Sequence, residues 1–253
     1  MTLTEQQKAF WIENGYLAYD QPLLTPDELE AIGERVFEIA AGARPDLPEQ
    51  VFSVERAVAR GEITDVEDQD RYRIMRYLHK YDDLVLSVCR NPKVLDVVED
   101  LLGPNIKLYT DQVFMKPPFH GGEQHWHQDS YTWNMFASHD HVTCWIAIDQ
   151  ATTENGCLRY LPGTHAFGWV ERDHVPVLLE QIKDTEVPVP REPGYGVFHH
   201  ALTLHSSGPN HSPHRRRAIG AHYIRSETRY IGLPGNYSGP FLLMRGQEIP
   251  GRV

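Results

Sequence analysis

The spacing of hydrophobic residues divides the chain near Gly103 into two parts with different predicted structures. Before Gly103, hydrophobic residues recur every three or four positions, which is the period of a helix with one buried face. Thr25 is followed by Pro26 and Glu28, a capping pattern that predicts a helix start. We expect Gly103 to end the last helix in a left-handed conformation. This part is therefore predicted to be mainly helical, with a short strand at residues 16–19 and an irregular, charged segment at residues 45–67.

After Gly103, short hydrophobic or aromatic runs alternate with breaks rich in Gly, Pro and Asn. Such runs, with no helix between them, are typical of an antiparallel sandwich or barrel. The fold class is predicted to be mainly β with N-terminal helices, as one domain over residues 1–253. In it, a helical layer (residues 1–103) packs on a jelly-roll core (residues 104–253). The predicted strands are 106–109, 113–116, 142–148, 158–161, 196–200 and 218–224.

Composition narrows the classes of partner and compartment. The 253 residues include 24 Lys and Arg against 35 Asp and Glu, which gives a net charge of −11. Nucleic acids and anionic membrane surfaces need a basic face, so neither is expected as a partner. No hydrophobic run approaches the ~18 residues of a membrane span. The three Cys have no CxxC spacing, and Cys144 lies in a hydrophobic run, so we expect reduced thiols and a cytoplasmic protein.

The stretch that carries chemistry is His127-Gln128-Asp129. If it forms a strand, both ligand-type side chains lie on one face. One imidazole and one carboxylate are two ligands of the 2-His-1-carboxylate triad that binds non-haem Fe(II), and His205 is the leading candidate for the third. Alone the motif is weak, because the chain has 14 His. Rival pairs are His125 with His127 and His139 with His141, although the latter two are expected at the surface. His165, His199 and His200 are not expected to be ligands.

Further motifs accompany this one in a fixed order. They are Met-Lys-Pro-Pro at 115–118, Glu-Asn-Gly-Cys-Leu at 154–158, Leu-Pro-Gly-Thr-His at 161–165, His-Ser-Ser-Gly-Pro-Asn-His-Ser at 205–212 and Arg-Arg-Arg-Ala at 215–218. Together with His127 and Asp129, they resemble the phytanoyl-CoA dioxygenase family of Fe(II)/2-oxoglutarate-dependent oxygenases. The resemblance covers about residues 73–224. It implies a double-stranded β-helix with iron in its open mouth.

The resemblance also implies roles for individual residues. His127, Asp129 and His205 would be the iron ligands. Arg216, eleven residues after His205, would bind the distal carboxylate of 2-oxoglutarate, a task that suits a planar guanidinium. In a strand, Arg215 and Arg217 would lie on the opposite face.

Four further positions match family residues near 2-oxoglutarate: Ser207, Trp145, Arg73 and Gln112. Trp145 could equally be a core aromatic, Gln112 a strand residue facing solvent, and Arg73 part of a solvated basic face. Trp126, Tyr131 and Trp133 either shape a substrate pocket or pack the loop beside the site.

The expected function is a dioxygenase that uses Fe(II), 2-oxoglutarate and O2 to hydroxylate an unactivated C–H bond of a small molecule, releasing succinate and CO2. The carboxylate of Asp129 favours hydroxylation over halogenation. The alternative is a metal-binding, cupin-like isomerase or sensor that does not use 2-oxoglutarate. A small polar metabolite is preferred over an acyl-CoA, since the chain is acidic, although Arg225 and Arg229 could form a local basic patch. A monomer and a homodimer both remain open.

Overall fold

The structure is a computed structural model that describes residues 2–132, 136–232 and 241–253. The helices are α1 (Glu5–Asn14), α2 (Pro26–Ala40), α3 (Arg56–Ala59), α4 (Asp83–Cys89), α5 (Pro92–Leu102) and α6 (Val175–Ile182). The strands are β1 (Tyr16–Pro22), β2 (Phe52–Val54), β3 (Tyr72–Arg76), β4 (Ile106–Lys116), β5 (Gln124–His127), β6 (His141–Ala147), β7 (Leu158–Tyr160), β8 (Val187–Val189), β9 (Tyr195–His200), β10 (His205–Ser207), β11 (Arg216–Arg225) and β12 (Leu242–Arg245).

The strands form two antiparallel sheets. In the large sheet the order is β1-β9-β6-β11-β4-β3-β2, with β12 also pairing with β4, and in the small sheet it is β5-β10-β7-β8. The N-terminal helices cover one face of the large sheet, and the small sheet lies across its other face. The predicted fold class, a jelly roll with a helical layer, is confirmed. No helix in the described part of the chain is long and hydrophobic enough to cross a membrane.

Helix α2 begins as the sequence predicts and packs on the large sheet. The Thr25 side chain accepts a hydrogen bond from the backbone N–H of Glu28, and the Glu28 carboxylate accepts one from the backbone N–H of Thr25. These bonds satisfy donors that a helix start leaves unpaired. Ile32, Val36 and Ile39, spaced by three or four, are buried in the main hydrophobic cluster. Burying three such side chains contributes roughly 1.5–3 kcal/mol each before entropy is counted.

Strand β6 shows how the large sheet separates this core from the side where the small sheet lies. Its whole length is buried. Cys144 and Ile146 belong to the cluster shared with the helices, whereas Trp145 and Ala147 belong to a second cluster with β7 and β8. Because side chains alternate along a strand, Thr143 lies on the same face as Trp145. The inner face of the large sheet therefore carries polar side chains where two sheets meet.

Several details differ from the sequence prediction. Residues 106–109 and 113–116, predicted as two strands, belong to the single strand β4. Gly103 has φ 100° and ψ −179°, so it ends α5 in an extended conformation open to glycine rather than in the left-handed helical one. Residues 45–67 are not wholly irregular, because they contain β2 and α3, and β2 pairs with β3. A helix, α6, lies between β7 and β8, where none was predicted. Its sequence, VPVLLEQI, is so short that its hydrophobic pattern does not distinguish a helix from a buried strand.

Candidate metal centre and its cavity

The structure brings the three predicted ligands together. His127 ends β5, Asp129 follows in a 3-10 turn, and His205 begins β10, where it pairs directly with His127. One ligand atom from each residue lies within 4.8 Å of the other two, the only such group of three or more in the described residues. Asp129 Oδ1 is 3.7 Å from His127 Nε2 and 3.6 Å from His205 Nε2. This donor set has the composition of a facial Fe(II) site.

The chain leaves the strand between His127 and Asp129, so the alternation of a strand is not what brings these two side chains together. Gln128 is fully buried, and its Nε2 donates to the backbone oxygens of Gly168 and Leu202, both at 2.8 Å. Its Oε1 accepts from the backbone of Val170 at 3.0 Å. These bonds hold the turn that directs Asp129 back toward His127.

Hydrogen bonds select the ring tautomer of both histidines. His127 Nδ1 lies 2.8 Å from the backbone oxygen of His125, and His205 Nδ1 lies 3.0 Å from that of Thr203. A carbonyl only accepts, so each Nδ1 carries the proton and each Nε2 presents its lone pair to the centre. Burial lowers the pKa of both rings, that of His205 well below its ordinary value. The two imidazoles are therefore neutral, as metal ligation requires.

Asp129 is oriented just as firmly. Its Oδ2 accepts from Thr143 Oγ1 at 2.8 Å and from His199 Nε2 at 3.0 Å, which leaves Oδ1 facing the two Nε2 atoms. Burial raises the pKa of Asp129, but the His205 ring and the His199 hydrogen bond outweigh it and hold the pKa well below its ordinary value. The carboxylate is therefore ionised, and its Oδ1 is held toward the two Nε2 atoms.

A further layer of side chains fixes Thr143 and His199, the two hydrogen-bond donors to Asp129, and sequence reasoning missed this layer. Tyr160 lies 2.9 Å from His199 Nδ1, and burial raises the pKa of the phenol, so the hydroxyl donates. His199 then donates from Nε2 to Asp129. On the other side, His222 Nδ1 lies 2.8 Å from Thr143 Oγ1, whose own proton goes to Asp129. The available signal was the presence of polar residues on the inner face of buried strands. There Thr143 pairs with His222 on one neighbouring strand and with His199 on the other.

The metal centre opens into a cavity of about 430 Å³, and all five further predicted residues line it: Arg216, Ser207, Trp145, Arg73 and Gln112. Arg216 is only 2% exposed, yet its Nε and Nη1 have no hydrogen-bond partner in the described residues. Its guanidinium lies 5.6 Å from the centre of the Trp145 ring. Burial lowers the pKa of Arg216 to about 10, so the group stays charged at neutral pH. A buried charge without a partner is costly, which marks this wall as complementary to an anion.

The two neighbours of Arg216 face away from the cavity, as predicted. Arg215 makes two hydrogen bonds to Asp70, at 2.7 and 2.6 Å. Arg217 pairs with Asp149 through Nε and Nη2, at 2.8 and 2.7 Å, and donates to the Gly33 backbone. Both charges are therefore satisfied within the protein.

The other cavity residues differ in how tightly they are held. Ser207 and Trp145 are buried, whereas Gln112 is half-buried. Arg73 donates from Nη2 to the backbone oxygen of Glu123 at 3.0 Å and to the side chain of Gln124. Arg73 thus contributes to a cavity wall and not to an outer basic face.

Residues near the motif but outside the cavity pack the loop. Trp126 and Tyr131 join a small cluster with α6, and Tyr131 donates to the Val170 backbone. His125 is exposed beside Glu123. Trp133 lies outside the described residues. The prediction that His139 and His141 lie at the surface is wrong for His141, which is completely buried against Phe136. His139 is half-buried beside Ser130.

Comparison with known families gives one match over most of the chain. The sequence model described as phytanoyl-CoA dioxygenase (PhyH) matches residues 11–218. A probable phytanoyl-CoA dioxygenase of Caenorhabditis elegans is 30% identical over 254 residues, covering 92% of this chain and 79% of that protein. A probable alpha-ketoglutarate-dependent hypophosphite dioxygenase of Stutzerimonas stutzeri is 29% identical over 246 residues, covering 92% and 82%.

Solved structures share the fold at lower identity. EctD from S. alaskensis, solved with 2-oxoglutarate and 5-hydroxyectoine, superposes with a TM-score of 0.79 at 19% identity, covering 100% of this chain and 87% of that one. The alpha ketoglutarate dependent epimerase SnoN gives a TM-score of 0.74 at 20% identity, covering 96% of each chain. At these identities the likeness shows the fold.

Proposed function

Because the chain belongs to the phytanoyl-CoA dioxygenase family, we propose that it hydroxylates an unactivated C–H bond of a small molecule and releases succinate and CO2. The enzyme class and cofactors inferred from the resemblance are confirmed: a dioxygenase that uses Fe(II), 2-oxoglutarate and O2. The alternative of a protein that does not use 2-oxoglutarate is therefore dropped. The relatives are named for phytanoyl-CoA and for hypophosphite, so membership leaves the substrate open.

We assign the iron to His127, Asp129 and His205. The donor set fits, since two neutral Nε2 atoms and one carboxylate oxygen converge and every other polar atom of these rings and of the carboxylate has a partner. When bound, iron supplies O2 activation, with 2-oxoglutarate as the co-reductant. The protein holds the ligands so that the ion meets a prepared site.

The observation that carries the proposal is Arg216. Its guanidinium is buried and charged, no described residue bonds its Nε or Nη1, and it lines the same cavity as the three ligand residues. We assign it to the distal carboxylate of 2-oxoglutarate, which it can bind through two parallel hydrogen bonds. Ser207, Trp145, Gln112 and Arg73 are assigned to the walls around this cosubstrate.

Other parts of the proposal rest on sequence. We propose one domain over residues 1–253, a cytoplasmic location and no nucleic-acid or membrane partner, with a monomer or a homodimer equally compatible. The net charge of −11 supports the exclusion of nucleic acid.

The test is substrate-dependent turnover. Purified protein is loaded anaerobically with Fe(II), mixed with 2-oxoglutarate and air, and screened against a library of small metabolites for succinate release and for a product heavier by one oxygen atom. Succinate release that requires both Fe(II) and 2-oxoglutarate, with a hydroxylated product from one compound, is the expected result. Binding of iron with no 2-oxoglutarate consumption under any condition would reject the proposal.

A further inference from the structure

The cavity contains a guanidinium that the iron and cosubstrate assignments do not use. Arg76, at the end of β3, lines the cavity and pairs across the sheet with Gln112. The same row continues through Gly220 to Trp145, so Arg76 lies on the inner face. Its Nη1 donates to Ser53 Oγ, and no carboxylate of the described residues lies within 4.0 Å of it. No other hydrogen bond of the Arg76 guanidinium is found among the described residues, and the side chain lines the cavity.

Two more arginines line the cavity beside it. Arg56 lies at the exposed mouth, at the start of α3, and has no carboxylate partner among the described residues. Arg73 has one, Glu55, at 4.0 Å. Burial lowers the pKa of Arg73, and the charges of Arg56 and Arg76 lower it further, whereas Glu55 raises it. Arg73 therefore lies close enough to both neighbouring guanidinium groups to be repelled by them, and Glu55 is its one carboxylate partner among the described residues.

Charge balance shows that this excess remains after the cofactors bind. Iron carries two positive charges and Arg216 one, while Asp129 carries one negative charge and 2-oxoglutarate two, so this set is neutral. Lys116 adds little, because burial lowers its pKa to about 6 and its Nζ is engaged by the backbone oxygens of Gly122 and Gly208. Arg73, assigned to the wall around the cosubstrate, is offset by Glu55, so Arg76 and Arg56 leave about two positive charges for another ligand.

We propose that the substrate is a small oxyanion whose carboxylate or phosphoryl group binds Arg76, with Arg56 at the entrance. This inference rests on the proposed function and adds the substrate class. A cavity of about 430 Å³ is at the small end of ligand sites and must also hold 2-oxoglutarate, so the part of the substrate inside it is small. The acidic whole chain does not oppose this, because local charge in a cleft determines which ligand is attracted.

The experiment measures binding and needs no known substrate. Protein loaded anaerobically with Fe(II) and 2-oxoglutarate is titrated by calorimetry with ethylphosphonate, propionate and the uncharged propionamide. We expect both anions to bind, propionamide to bind at least about tenfold more weakly, and ethylphosphonate to bind more tightly than propionate if the phosphoryl group is the natural one. Arg76→Gln should weaken the anions roughly 30-fold or more, as loss of a charged partner does. Arg76→Lys should recover part of this.

Arg71→Gln is the matched control. Arg71 lies just before β3 but is exposed, pairs with Asp68 and does not line the cavity, so anion affinity should not change. The proposal is overturned if no anion binds, if propionamide binds equally well, or if Arg76→Gln leaves anion affinity unchanged. It is also overturned if this variant weakens 2-oxoglutarate as much as the anions, because Arg76 would then belong to the cosubstrate. A wild-type protein that fails to bind 2-oxoglutarate would instead reject the proposed function.

Discussion

The cavity has a metal end (His127, Asp129 and His205) and an arginine end (Arg216 and Arg76), and the two differ in how their polar groups are satisfied. At the metal end, the atoms of His127, Asp129 and His205 that do not face the centre have hydrogen-bond partners within the protein. At the arginine end, Arg216 is buried and no described residue bonds its Nε or Nη1, while Ser53 is the one hydrogen-bond partner of the Arg76 guanidinium in the described part of the chain. At one end the protein itself satisfies the polar atoms that do not face the centre, whereas the other end presents donors that suit an anion.

This difference indicates what each end requires of the ligand that it binds. A metal site gains from rigidity, since ligands fixed by outer hydrogen bonds lose little freedom when the ion binds. A buried guanidinium without a partner is destabilising by itself, and a bound carboxylate compensates the cost. We therefore expect substitutions at the metal end to remove iron and substitutions at the arginine end to change affinity for anions.

The largest effect is expected from Asp129→Ala. It removes the only anionic ligand and leaves a neutral two-histidine site that holds Fe(II) weakly. Iron content after desalting, measured by plasma mass spectrometry, should fall to background, and succinate release should cease. His139→Ala is the control and should keep its iron, because His139 contacts Ser130 and not the centre. Iron loss in the control, or hydroxylation by Asp129→Ala, would contradict the assignment.

Arg216→Ala should change the cosubstrate requirement and not the metal. Losing a charged partner in a mostly dry pocket costs on the order of 2–5 kcal/mol. At ~1.4 kcal/mol per tenfold, the KM for 2-oxoglutarate should rise roughly 30-fold or more, with iron affinity unchanged. Arg216→Lys should recover only part, since an ammonium cannot make the planar two-point contact. The measurement is 2-oxoglutarate titration of succinate release. If Arg215→Ala carries the effect instead, the wrong arginine has been assigned.

His199 sharpens the comparison, because it acts on the metal end through Asp129. His199→Phe removes the donor to Oδ2 and should weaken iron about tenfold, at the lower end of effects reported for outer hydrogen bonds to metal ligands. His199→Gln places an amide N–H near the position of Nε2 and should restore much of that affinity. Competition titration of Fe(II) against a chelator measures both variants. Equal loss in the two would indicate a packing role instead of a hydrogen-bonding one.

The smallest effect on function is expected for Arg217→Ala. Its paired hydrogen bonds to Asp149 lie outside the cavity, so the KM for 2-oxoglutarate should stay within about twofold of wild type. Loss of a charged, half-buried pair should lower the free energy of unfolding by about 2 kcal/mol. Urea denaturation measures this change. A raised KM without a loss of stability would mean that the strand register is wrong.

The sequence predicted what is local or carried by a family motif. The helix start at Thr25, the strand over residues 218–224 and the alternation of Arg215, Arg216 and Arg217 all follow from short-range rules. Gly103 was placed at a helix end but in the wrong conformation, since several backbone conformations can end a helix at glycine.

What could not be predicted depends on which strands become neighbours. Thr143, His199 and His222 are far apart in sequence and meet only because β6 lies between β9 and β11. Likewise, Arg71, Arg73 and Arg76 look alike in sequence, and only the pairing of β3 with β4 places Arg76 in the cavity while Arg71 stays exposed. Long-range pairing thus determined the parts of the site that the pattern left open.

The placement of the cysteines has a consequence for how long such an enzyme can work. Cys89, Cys144 and Cys157 are unpaired and buried, and burial raises the pKa of each thiol. Oxidants attack the thiolate, so these sulfurs present little reactive form and little access. Cys144 adjoins Thr143 in sequence but projects from the other face of β6, into the helix-covered core. Cys89 and Cys144 thus lie in the helix-covered core, away from the face of the sheet where O2 is handled, and oxidative damage during turnover should fall on other groups.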